Sequence, residues 1–222
     1  MNWFKFLMVD MRLMKSQKLF LVVFPLFAII IGASSEDLLF TISYMCFGVM
    51  IVSTTPFFLE NKNMSSFIQL LPGNDRDKVV GRYTGFLAML FADVIIGVVA
   101  CAVLDVFGYQ IIQNGNMYIS AAVIAVSVIV GSLQFIIFYA TGREKSEQWL
   151  NILRIIPAFL FFFGTNYIIE SLEKHKEQAE DILRFTRQNQ LLLLAVGVVL
   201  AAIVFFVCIQ ISTTVVKRQD VS

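Results

Sequence analysis

Six long apolar stretches run through the 222 residues, beginning near Leu19, Leu38, Tyr83, Met117, Leu150 and Gln190, and the segments between them divide by charge. That arrangement points to an all-α, polytopic membrane protein. A helix rises about 1.5 Å per residue, so roughly 20 apolar residues cross a hydrocarbon layer of about 30 Å. In lipid the backbone must satisfy its own hydrogen bonds, which excludes open strands. The expected spans cover about 19–35, 38–59, 83–106, 117–139, 150–169 and 190–213. The first is the shortest and relies on Lys18 snorkelling at its edge. A cleavable signal peptide is the alternative for it. The preceding region of about 18 residues is long and the pattern near Gly32 to Ser34 is poor for cleavage, so retention is expected.

Orientation follows from the basic residues. With Met1 inside, Lys5, Arg12, Lys15, Lys18, Lys62, Arg76, Lys78, Arg82, Arg143, Lys145, Arg154, Lys217 and Arg218 lie on the inner side. Lys174, Lys176, Arg184 and Arg187 lie outside, a division of 13 against 4. The positive-inside rule then places both termini in the cytoplasm. Only 15% of residues are charged and the net charge is +1, with the bases dispersed over several loops. Nucleic acid is not an expected partner; membrane lipid is. Cys46, Cys101 and Cys208 all fall inside spans and read as small apolar packing residues. His175, alone in a polar outer loop, reads as solvated, and no metal site is expected.

Residues 1–18 read as an amphipathic interfacial helix, with Phe4, Leu7, Met8, Met11 and Met14 on one side and Lys5, Arg12 and Ser16 on the other. Between the fifth and sixth spans, 170–189 forms a charged outer loop with a weak helical stripe. No repeat or linker divides the chain, which reads as one transmembrane domain over 1–222.

The inner loop 60–82 is the most punctuated. Met64 to Leu71 (Met64, Ser65, Ser66, Phe67, Ile68, Gln69, Leu70, Leu71) suits a short helix with an apolar edge. Pro72-Gly73 ends it, and Asn74 is a fitting N-cap for a following helix whose first turn holds Asp75 and Asp77. Glu60, Leu71-Pro72, Asn74, Val79, Gly81 and Arg82-Tyr83 stand at offsets that resemble the small permease subunits of ABC-2-type transporters, with Asp75 where that family usually has a base. The six spans, amphipathic start and long outer loop extend the resemblance over nearly the whole chain.

The resemblance implies a type V exporter-like architecture in the plasma membrane of a bacterium. Two permeases, identical or sister chains, would join two cytosolic ABC ATPases that hold ATP and Mg. It also implies that Met64–Leu71 is the coupling helix, with Pro72 ending it. The apolar edge suits docking in a groove of the ATPase, and Arg76 and Lys78 suit acids on that partner. This chain has no G-x-x-x-x-G-K-[ST] run and no His/His, His/Glu, Asp/Asp or Ser/His pair at matching depth in the spans, so it is expected to be no enzyme and to hold no cofactor.

Asp93 is the one carboxyl deep in a span. Two readings stand for it: a proton or cation group, or an acid hydrogen-bonded to Gln134, Tyr139 or Asn166 to hold helices together. Arg154 is expected to reach headgroups or to pair with Glu147 or Glu144. Walls of Phe, Leu and Met suit an amphipathic or hydrophobic cargo such as a peptide toxin, bacteriocin or lipid. Exporters of phenol-soluble modulins use similar permeases. The alternative is a stand-alone carrier or channel using Asp93.

Overall fold

The structure, a computed structural model, describes residues 3–14, 18–59, 74–114, 117–141, 151–152, 154–156, 159–164, 167, 171 and 188–219. Every regular element among them is helical: α1 (Trp3–Met14), α2 (Lys18–Ser35), α3 (Leu38–Val52), α4 (Thr55–Leu59), α5 (Asp75–Val106), α6 (Ile111–Asn114), α7 (Met117–Thr141), α8 (Arg154–Gly164) and α9 (Gln190–Gln219). Four helical segments are long and apolar enough to cross a membrane: Leu38–Phe57, Asp75–Val106, Met117–Thr141 and Gln190–Arg218. Two shorter apolar helices, Leu21–Ser35 and Arg154–Gly164, stand where the first and fifth spans were expected. Most of the outer loop 170–189 lies outside the described residues.

The packing order follows from side-chain composition. α3 is apolar on all sides, burying Leu39, Ile42, Met45, Cys46, Val49 and Met50, and it packs against α2, α5 and α7 as the central helix. α9 is also strongly apolar but, among the described residues, packs chiefly along α7 and α5; 17% of its span is buried, against 78% for Leu38–Phe57. The outward faces of α5 (Phe91, Ile95, Ile96, Val99) and α9 (Leu191, Val199, Ile203) are exposed rows of large apolar groups, suited to hydrocarbon rather than water.

Local chemistry sets the turns. Glu36 takes a positive φ of 51°, and Asp37 caps α3 by accepting the Leu39 amide at 2.8 Å. On the same side of the chain's path, the Asp105 carboxylate accepts the amides of Ile111 and Ile112 at 2.7 and 3.0 Å, starting α6. Asn74 does stand at the N-cap of α5 in extended conformation, but its side chain makes no cap bond, so the expected capping is positional only.

Two expectations change. The second span was expected as one helix over 38–59; it breaks at Ser53–Thr54. Pro56 has no N–H for the Val52 carbonyl and its ring crowds that turn, which favours a break there. α1 was expected to have two faces and has three. Phe4, Met8 and Met11 are exposed, Lys5 and Arg12 are exposed beside them, and Phe6, Asp10 and Met14 form a buried stripe against α5.

Gly81 is what lets α1 lie there. A Cβ at that position would stand 2.8 Å from the Trp3 carbonyl oxygen and 3.0 Å from Phe6 Cβ, and backbone atoms cannot give way as a flexible side chain could. Gly81→Leu is therefore expected to push α1 off α5 at a cost of about 1–3 kcal/mol. Hydrogen exchange checks it: amides of Trp3–Met14 should exchange faster while α7 and α9 stay as protected as before.

Candidate functional site

Arg82 sits one residue past the close approach of α1, and its side chain is the centre of the site. The first two turns of α5 carry it inward, where no water is available to a guanidinium. Its Nε donates to Asp10 Oδ2 of α1 at 3.3 Å, and the two side chains are 3% and 7% exposed. The guanidinium carbon lies 4.3 Å from the ring centre of Phe57 on α4 and 5.9 Å from that of Tyr139 on α7. Phe57 in turn stacks on Phe138 at 5.0 Å and meets Tyr139 and Phe135 edge-on at 5.0 and 5.5 Å. One charge thus joins α1, α4, α5 and α7, through an ion pair and cation–π contacts that gain strength where solvent is excluded.

Tyr83, next in sequence, points to the other side of α5 and is fully buried. Its hydroxyl donates to the Ser132 carbonyl of α7 at 3.1 Å and shares a hydrogen bond of 3.0 Å with Ser212 Oγ of α9. Its ring meets Phe135 and Phe205 edge-on at 5.1 and 5.5 Å. Arg82 and Tyr83 together therefore tie α5 to α1, α4, α7 and α9.

Arg154 reaches α3 instead. Its Nε donates to the Ile51 carbonyl at 2.9 Å and its Nη2 to Thr55 Oγ1 at 3.2 Å. Gln134 of α7 donates its Nε2 to the Arg154 carbonyl at 3.0 Å. Headgroups or Glu144 and Glu147 were the expected partners; the two acids lie outside the described residues, and the two bonds seen run inward to the end of the second span.

The sequence matches, over residues 5–217, the family described as ABC-2 family transporter protein. The chain belongs to that family. It is a multi-pass ABC-2 permease, and membership implies pairing with an ABC ATPase in general. Comparison with curated proteins and with solved structures found no match.

In this ABC-2 permease, Met64 to Pro72 lie outside the described residues, as do Asn166 and most of the inner loop. Arg76 and Lys78, expected to face the ATPase together, part company. Arg76 is exposed in the first turn of α5, whereas Lys78 is buried and engaged within the chain. The two are separated by about 200° around the helix at 3.6 residues per turn, so one faces solvent when the other faces the protein.

Asp93 is half-buried on α5 and makes no hydrogen bond or ion pair among the described residues. Gln134, one of the partners expected for it, serves Arg154. Tyr139, another, lies beside Arg82, which is 11 residues and so about 16 Å along α5 from Asp93. Depth along the helix, invisible in a list of polar residues, separates them. A second aromatic feature went unread in the sequence. Tyr44 and Phe47 of α3 interlock with Phe162 and Phe159 of α8 at 4.5 and 5.5 Å, with Phe24 of α2 against Phe47 at 5.9 Å. Phe159 and Phe163 of this seam are exposed.

Proposed function

We propose that the chain is the permease subunit of an ATP-driven exporter, in which a cytosolic ABC ATPase docks on the Met64–Leu71 segment and drives an amphipathic or hydrophobic cargo through the bilayer. The observation that carries this reading is the Arg82 junction. The segment 60–73 is strung between α4 and α5, and the guanidinium at the start of α5 rests on the Phe57 ring of α4. Phe57 and Arg82, on the helices that flank the docking segment, are thereby tied to α1 and α7, so a push passed to those helices moves the bundle. Nucleotide-driven closure of two ATPases, each bearing on one permease of a pair, would tilt the bundles about a pathway between them. The open aromatic seam of α2, α3 and α8 favours a greasy cargo over a hydrated ion. A peptide toxin, bacteriocin, phenol-soluble modulin or lipid fits it. On this reading both termini lie in the cytoplasm of a bacterial cell, which the distribution of basic residues supports.

The test is copurification. An ATPase encoded beside the chain is expected to purify with it and to be lost when Phe67 and Leu70 are both changed to Asp, because two charges in an apolar docking edge cost several kcal/mol. ATP-dependent transport that survives the double change undiminished removes the docking assignment.

A further inference from the structure

The break at Ser53–Thr54 leaves carbonyls of α3 without their helical donors, and the way they are served suggests a moving part. Ser53 Oγ bonds back to the Met50 carbonyl at 3.4 Å and Thr54 Oγ1 to the Ile51 carbonyl at 2.8 Å. The Ile51 carbonyl also accepts Arg154 Nε, while Nη2 of the same guanidinium reaches Thr55 Oγ1 on the far side of the break. One rigid fork therefore straddles the discontinuity, with one nitrogen on α3 and another on α4. Its own backbone is held by Gln134 of α7, which gives the bend an external reference. Ser53, Thr54 and Thr55 are all buried. Three successive hydroxyls can exchange carbonyl partners by rotating about χ1, so the chain can bend here without leaving a buried polar group stranded.

We propose that Ser53–Thr54 is a hinge in the second span and that Arg154 is the positioning residue that sets its angle, so that movement of the 60–73 segment is passed through α4 to α3 as a rotation. The coupling half of this statement rests on the permease reading above; the hinge itself does not. α4 is only five residues long and carries Phe57 into the Arg82 junction, so it is held at its middle residue by one arginine and at its first residue, Thr55, by the other. A planar guanidinium can bridge both sides of the break at once, and a lysine ammonium on a flexible stem cannot match that geometry.

Hydrogen exchange on the full chain in lipid nanodiscs tests the hinge. Arg154→Ala is expected to speed exchange across Ile51–Leu59 by roughly tenfold, the loss of a charge-assisted bond, with α7 and α9 unchanged. Arg154→Lys should recover only part of the protection. Should Arg154→Ala loosen the whole bundle, Thr55→Val decides, since it removes only the far arm of the bridge; a local rise of a few-fold supports the hinge. Unchanged exchange over Ile51–Leu59 in these variants overturns it. In the complex with its copurified ATPase, Arg154→Lys is expected to keep the ATPase bound and hydrolysing while export of a labelled amphipathic helical peptide per ATP falls roughly tenfold. Equal loss of hydrolysis and export means Arg154 is a brace and overturns the coupling role. Absence of any copurifying ATPase with the unaltered chain removes the permease reading and the coupling role with it, while the exchange result still judges the hinge.

Discussion

Changing Asp10 to Ala is expected to lower stability by about 3–5 kcal/mol, since it takes the carboxylate away from a buried guanidinium that has no solvent to turn to. The penalty comes from Arg82 rather than from α1 itself. Both side chains are almost wholly enclosed, so the pair was desolvated on folding, and their mutual attraction and the ring contacts on Phe57 and Tyr139 help offset that cost. The double change Asp10→Leu with Arg82→Met should restore most of the lost stability, because a buried ion pair replaced by apolar groups of similar size is often neutral. Coupling should not return with it, since the bridge from α5 to the Phe57 ring is gone. Thermal unfolding in detergent gives the first result and ATP-dependent export the second. If Asp10→Ala melts within a degree or two of the unaltered chain, the pair is not the brace described.

The second large effect is expected at Tyr83. Tyr83→Ala should cost about 3–5 kcal/mol, the range for emptying a fully buried aromatic site. The ring is wedged between Phe135 of α7 and Phe205 of α9, and neither helix can close the gap without losing its other contacts. Tyr83→Phe keeps the ring and removes the hydroxyl bonded to Ser132 and Ser212, so about 1 kcal/mol is expected, the net value of a typical hydrogen bond. A double-mutant cycle of Tyr83→Phe with Ser212→Ala should show non-additivity, since both changes remove one shared bond. Equal melting losses for Tyr83→Ala and Tyr83→Phe would mean that the hydroxyl, not the ring, carries the site.

The two residues with these effects are adjacent and were visible as an Arg-Tyr pair, yet their roles were not. Pattern assigns Tyr83 to a face and Arg82 to the neighbouring one, but says nothing of which helix each face meets. Asp10 was passed over because the amphipathic reading of α1 sorted residues into two sides and an acid belongs by default to the wet one. Its place between Phe6 and Met14, each four residues away, was the available signal: an acid on an otherwise apolar stripe needs a buried cation. Nothing local could have named Arg82, which is 72 positions distant. Arg154 was read toward the lipid headgroups for the same reason. Its partners at Ile51 and Thr55 flank the break in the second span, and a helix break frees acceptors that a continuous helix would have used.

Hydropathy by itself determined that this is a helical membrane protein, because the length of an apolar run and the demand for internal hydrogen bonding leave a chain in lipid no other course. The start of α5 after Pro72-Gly73 and Asn74 was also marked locally, in residues whose backbone preferences act over a few positions. Which helix became central, which charges met and which polar groups remained apart were decided by tertiary packing. In a bilayer all apolar faces are nearly equivalent to the solvent, so partner choice falls to shape and to a few buried polar contacts, and those join residues that no periodicity connects.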